Sequence, residues 1–150
     1  MAAPSPLGSY AIFCDDIRGE ANGKAFLIGV YQDDMYVNGE APWVLPQFYV
    51  RVVFRTPEVG APPKLRFRLK AINESGETDI WKLDHPGFED APNAERLPFE
   101  KDISRSHITV FNIAITPFII EKPSRLEVLA EVNGVETMID RLRVRPTPST

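Results

Sequence analysis

Residues 48–55, FYVRVVFR, alternate without a fault. Phe48, Val50, Val52 and Phe54 fall on one side, and Tyr49, Arg51, Val53 and Arg55 on the other. Residues 64–72 repeat the pattern, with Leu65, Phe67 and Leu69 against Lys64, Arg66, Arg68 and Lys70. A period of two over eight residues is the signature of a strand with one face in a core. Fourteen prolines punctuate the chain. Proline lacks an N–H and clashes with the preceding helical turn, so at this spacing long helices have little room.

The remaining strands follow from the same reading. Residues 10–14 and 25–31 form a pair joined near Asn22-Gly23, and Asn-Gly supplies the positive φ angles of a tight hairpin. Residues 79–83 are a weaker strand. Residues 107–116 are apolar on both faces except for Thr109 and Asn112, the pattern of a central strand. Asn133-Gly134 joins residues 125–132 to 135–144. With a two-residue turn, Val132 faces Val135 and Ala130 faces Thr137, but Leu126 meets Leu142 one residue late, so a bulge is expected at Asp140-Arg141. Between these elements, residues 84–106 are polar, acidic and proline-containing, read as a long loop with a helical turn near 91–96. The expected fold is all-β: a single antiparallel β-sandwich, immunoglobulin-like or C2-like, of about eight strands and little helix. One domain fills the 150 residues, with loose tails at 1–8 and 146–150.

Composition excludes several function classes. The net charge of −4 favours neither nucleic acid nor an anionic membrane. Cys14 is the sole cysteine, so no disulfide can form within the chain, which suits a reducing, cytoplasmic setting. The first residues carry neither a basic nor an apolar leader segment, and no apolar run is long enough to span a membrane.

Four aspartates, Asp15, Asp16, Asp33 and Asp34, flank the first hairpin. Their spacing matches no calcium loop, and a structural role is expected. Asp16 is placed opposite Gly29, sharing a face with Ile12 and Cys14 and bonded to Arg18 or to backbone. Asp84-His85 as an acid–base pair, or Ser104 or Ser106 beside His107, would make a hydrolase, but no nucleophile elbow is present and Cys14 lies in an apolar strand. There is no phosphate-binding glycine loop. No catalytic residue, cofactor or metal ligand is assigned.

Charge is segmented along the chain. Residues 47–75 hold six bases and two acids; residues 76–104 hold eight acids and three bases. If 48–55 and 64–72 are neighbours, Arg51, Arg55, Lys64, Arg66, Arg68 and Lys70 form one cationic face. It is either neutralised by acids of neighbouring strands and of residues 84–102, or it meets an acidic partner.

The motif FCDDIR, followed by NGK, two apolar residues and LIGVY across residues 13–31, resembles an uncharacterised family of small bacterial β-sandwich-like proteins, a domain of unknown function. Leu45-Pro46, Thr116-Pro117 and the closing hairpin extend the resemblance over most of the chain. It implies a compact domain of this size and no transferable functional residue. The expected role is therefore a soluble, non-enzymatic interaction or assembly module that binds another protein or itself, with no nucleic acid and no membrane. A small-ligand or Ca²⁺-binding sandwich is the alternative, and a hydrolase using Asp84, His85 or His107 the third reading.

Overall fold

The computed structural model describes residues 8–57, 64–85 and 106–149. They form eleven strands: β1 (Tyr10–Gly19), β2 (Ala25–Tyr31), β3 (Asp34–Val37), β4 (Trp43–Leu45), β5 (Phe48–Pro57), β6 (Leu65–Asn73), β7 (Gly76–His85), β8 (Ser106–Ile115), β9 (Phe118–Ile120), β10 (Ser124–Val132) and β11 (Val135–Pro146). The only helical piece among the described residues is a 3₁₀ turn at Ala21–Gly23. The all-β expectation holds, but the strand count exceeds eight. The extra strands β3, β4 and β9 have four, three and three residues, too few for a period to register. The helical turn expected at 91–96 lies outside the described residues.

One sheet has the order β2-β1-β5-β8 and the other β3-β11-β10-β6-β7, with β4 and β9 forming a separate ribbon. Every pairing is antiparallel except β3 with β11. The inward side chains of both sheets and the ribbon belong to one buried cluster. Phe54 meets Phe67 edge-on with centroids 5.4 Å apart, and Phe111 meets Phe67 edge-on at 4.8 Å and stacks on Trp81 at 5.6 Å. Phe48 packs on Phe118 of the ribbon at 4.9 Å. Aromatic contacts at this range add to the area they bury.

The Asn133-Gly134 turn is formed as expected, with φ of 49° and 86°, the pair of positive angles a two-residue hairpin requires. The bulge exists but sits one residue earlier. Val128 pairs with Asp140 and Leu129 with Met138, so the extra residue is Ile139. The hydrophobic pattern located the change of phase between Ile139 and Leu142, but both solutions put those residues inward. The position is settled by what Asp140 gains. Its Oδ2 accepts the Ala11 N–H at 3.2 Å, and its Oδ1 accepts the Arg141 N–H at 2.9 Å. Ala11 lies beyond the stretch of β1 that pairs with β2, so the bulge ties the two sheets together where a ladder partner runs out.

The C-terminal end is not loose at Pro146, which pairs with Val37. The Thr147 N–H donates to the Val37 carbonyl at 2.9 Å. Asp34 anchors this parallel pair. Arg143 Nε and Arg145 Nη2 lie 2.9 and 2.8 Å from its Oδ1, Arg143 Nη2 donates to Oδ2 at 3.1 Å, and the Arg145 guanidinium sits 5.8 Å over the Tyr36 ring. Withdrawal from water pushes the Asp34 carboxyl up, but the Arg145 hydrogen bond and the charges of Arg143 and Arg145 outweigh it and hold the group below its ordinary value.

Two predictions follow from these contacts. Asp140→Ala leaves the Ala11 N–H without its acceptor and should lower stability by about 1–3 kcal/mol in urea denaturation. A loss under about 0.5 kcal/mol is the scale of an ordinary surface change and would remove the bulge carboxylate as the link between sheets. For Asp34, a depressed carboxylate stabilises the fold above its unfolded pKa, near 4, and the contribution is lost as pH falls through the lower folded value. The melting temperature of the wild type should exceed that of Asp34→Asn at neutral pH, and the gap should close below about pH 4. A gap that is the same at all pH values would rule out an ionic clamp.

Candidate interaction surface

Each large sheet turns one face into the core, so each leaves an outer face to solvent. The six bases read as one cationic face are divided between them. β5 belongs to the four-stranded sheet and β6 to the five-stranded one, so Arg51 and Arg55 lie on a different sheet from Arg66, Arg68 and Lys70. Alternation reports which residues share a strand face, not which strand is next door. The condition for one cationic face, that residues 48–55 and 64–72 form neighbouring strands, is not met.

On the five-stranded sheet the bases are neutralised within the fold. Arg66 Nε is 2.6 Å from Asp84, and its Nη1 is 3.6 Å from Glu131. Arg68 reaches Glu136 at 2.7 Å and Asp79 at 3.4 Å, Lys70 reaches Glu77 at 3.0 Å, and Lys82 reaches Asp79 at 3.0 Å. The Asp84 hydrogen bond and charge raise the Arg66 pKa. The hydrogen bond that Arg68 donates to Glu136 does the same for Arg68, outweighing its partial burial. A hydrogen bond from Lys82 keeps Asp79 below the usual carboxylate range. Leu129, directly across from Arg68, is buried on this outer face, in a hollow of about 390 Å³ lined by three bases and three acids. With the charges cancelled, the hollow has no preference for an anion. Lys64, at the end of this sheet, exchanges backbone contacts with Asn133: its N–H donates to the Asn133 side chain and its carbonyl accepts the Asn133 N–H, each at 3.0 Å.

The four-stranded sheet differs. Directly paired residues share a face, so the register sets Val30 beside Cys14, Cys14 beside Tyr49 and Tyr49 beside Ala114 on the outside. Tyr10 lies beside Val53, and Val53 beside Val110. Ten large hydrophobic side chains are exposed among the described residues, and six of them lie on this one face: Tyr10, Phe26, Ile28, Val30, Ile108 and Val110, between 42% and 57% exposed. Side chains of this size, each roughly half uncovered, present on the order of 500 Å² of apolar surface, at the upper end of what a monomer leaves bare.

β8 was read as a central strand because it is apolar on both sides. Among the described residues it is an edge strand, and burial inside the chain accounts for Phe111, Ile113 and Ile115. Ile108 and Val110 are surplus to the core. The signal for the surface lies in the apolar outward residues of 26–30 and 107–114; in 107–116 the same pattern also fits a central strand.

Polar groups interrupt the patch at few points. Arg51 Nη1 donates to Asn112 Oδ1 at 3.1 Å. Arg18 Nε donates to Asp16 Oδ2 at 3.1 Å, the partner expected for Asp16. Cys14 is fully buried. Its thiol is pushed up to about 11, chiefly by burial and further by the Asp15 and Asp16 charges, against a lowering backbone hydrogen bond at Asp16. At neutral pH it is a protonated apolar filler rather than a nucleophile.

The four aspartates divide in the same way. The loop Glu20–Lys24 is longer than a two-residue turn, closed by the Glu20 N–H to the Lys24 carbonyl at 2.8 Å, and the register shifts accordingly. Asp16 faces Ile28, and Asp15 is the residue against Gly29. A Cβ on Gly29, whose φ is +68°, would collide with the Asp15 carboxylate. Asp15 accepts the Tyr31 hydroxyl, and that phenol is raised by burial and by this bond. Asp33 offers its carbonyl to the Arg143 N–H at 3.1 Å. Among the described residues no three histidine, cysteine or carboxylate side chains gather as a metal site would require. The backbone of His85 pairs with Leu65 in one sheet and that of His107 with Thr56 in the other, while Asp84 is engaged by Arg66. Ser104 lies outside the described residues, as do the side chains of Ser106 and both histidines.

Reversing both central bases with Arg66→Glu and Arg68→Glu should lower the melting temperature of the isolated chain by several degrees, and high salt should recover part of the loss. An unchanged melting temperature would mean that the ion pairs on this sheet are incidental.

No family model matches the chain, and no similar protein was found among curated proteins or solved structures.

Proposed function

We propose that this chain is a non-enzymatic protein-interaction module, a β-sandwich of immunoglobulin-like or C2-like type working in the cytoplasm, and that it docks its partner through the outer face of the four-stranded sheet. The observation that carries the reading is the contrast between the two outer faces. One is a closed lattice of ion pairs of the kind that suits water. The other exposes six large apolar side chains, from β1, β2 and β8 of its four strands. Contiguous apolar surface of this extent marks a protein contact or a membrane contact, and the acidic net charge argues against an anionic membrane. A footprint four strands wide at about 4.8 Å spacing and some eight residues long covers roughly 500 Å² in plan, enough to reach the lower limit of a specific interface once both partners are counted. Among the described residues the ordered apolar sheet is the feature that stands out, and it favours a binding role.

Ile28→Lys combined with Val110→Lys tests this. Both side chains face water in the isolated chain, so each change should alter stability by no more than about 0.5 kcal/mol. The wild type, used as bait in its native host, should retain a co-purifying protein that the folded double variant loses. A folded double variant that keeps every partner of the wild type would reject the face as the docking surface.

A further inference from the structure

Resting on the reading above, we infer that the partner of this face is an acidic–apolar protein segment, one whose carboxylates meet Arg51 and Arg55 while its large apolar side chains cover Tyr10, Ile108 and Val110. Arg51 and Arg55 lie two positions either side of Val53 on β5. Across from them stand Ile12 and Ile108 respectively, with Asn112 on the other side of Arg51, so the two guanidiniums flank the Tyr10–Val53–Val110 row from either side. A partner that covers Tyr10, Ile108 and Val110 therefore covers the arginines as well.

A guanidinium taken out of water needs acceptors, and a carboxylate supplies two in matching geometry. Among the described residues neither Arg51 nor Arg55 has a carboxylate within ion-pair distance, although Arg66, Arg68 and Lys70 of the other sheet all do. Arg51 spends one donor on Asn112, and a guanidinium has five. In a chain of net charge −4, two unmatched bases among apolar residues are a local feature that average composition does not explain.

A second copy of the chain is a poor occupant. Face-to-face packing would bring four such guanidiniums together, and the carboxylate this face offers, that of Asp16, is already held by Arg18 at 3.1 Å. Along β5 the two arginines are four residues apart, about 14 Å at the strand rise. An extended partner would therefore carry its acids at positions i and i+4, with apolar residues among them.

Short random peptides displayed on phage and selected on the full-length chain provide the test. Enriched sequences should pair acidic with large apolar residues. Their affinity should fall roughly tenfold or more with Arg51→Glu plus Arg55→Glu, fall less with the two glutamine variants, and weaken from about 0.1 M to about 1 M salt, as the Debye length shrinks from about 10 Å to about 3 Å. Thermal melts confirm that each variant is folded. Peptides that lose binding to Val110→Lys but not to the charge reversals would overturn the acidic partner and leave the docking face standing. Peptides indifferent to all these variants, or no enrichment, would overturn both. A concentration-dependent dimer in sedimentation, abolished by Val110→Lys, would replace the acidic segment with a second copy. Competition by a single-stranded oligonucleotide would reassign the arginines to phosphate and overturn the inference.

Discussion

Burial of Phe13, Phe48, Phe54, Phe67 and Ile113 between the two sheets determines which side of every long strand is left outside. A strand has two faces and no third option. Once the alternating apolar set is committed inward, the residues between must be polar, covered or exposed at a cost. On β6, β7, β10 and β11 most are charged, and the bases of β6 and β7 are ion-paired with acids around them. On β1, β2, β5 and β8 many are apolar. The candidate site is this second outcome, and it depends wholly on the core having taken the other face.

The alternation of residues 48–54 and 65–69 was legible because each strand is long, half-buried and free of irregularity. The Asn133-Gly134 turn was legible because two successive positive φ angles ask for those residue types. Other features had no local signal. The division of β5 and β6 between sheets is a long-range fact, set by what each strand packs against, and hydrophobic periodicity is silent on it. The parallel β3–β11 pair depends on Asp34 meeting Arg143 and Arg145 from 109 and 111 residues away. The bulge was placed one residue late because pattern sees only a phase change, whereas the reward for the observed position, an acceptor for the Ala11 N–H, comes from the opposite sheet.

The exposed face was misread for a different reason. A strand apolar on both sides is the expected form of a strand buried on both sides, and intrachain burial is the commoner explanation. Sequence pattern cannot separate burial by the same chain from burial by another. What separates them is position in the sheet: β8 is at the edge, with Val110 and Ile108 turned outward. The four aspartates illustrate the converse. A structural role is the sequence reading for these clustered acids, and Asp15 and Asp16, adjacent on a strand, take up separate roles on opposite faces. Asp15 closes against Gly29 and Tyr31, Asp16 binds Arg18, and Asp34 clamps β3 to β11.

Exposed apolar sheet is a hazard, because edge strands and bare faces invite indiscriminate association. The charge layout of this chain bears on that hazard. On the five-stranded sheet Arg66, Arg68, Lys70 and Lys82 are each ion-paired with acids of the same sheet, giving a well-hydrated surface with little net field. The apolar face carries arginines among its hydrophobic residues. Guanidiniums embedded in an apolar patch repel a second copy of the same patch and make burial unfavourable for any partner that lacks carboxylates. The same residues that complete a fit with one chemistry oppose the others, which is how specificity is built when affinity comes from non-directional apolar contact. An apolar face without Arg51 and Arg55 would be stickier and less selective, so under the proposed docking the two arginines would be the positions that discriminate among partners.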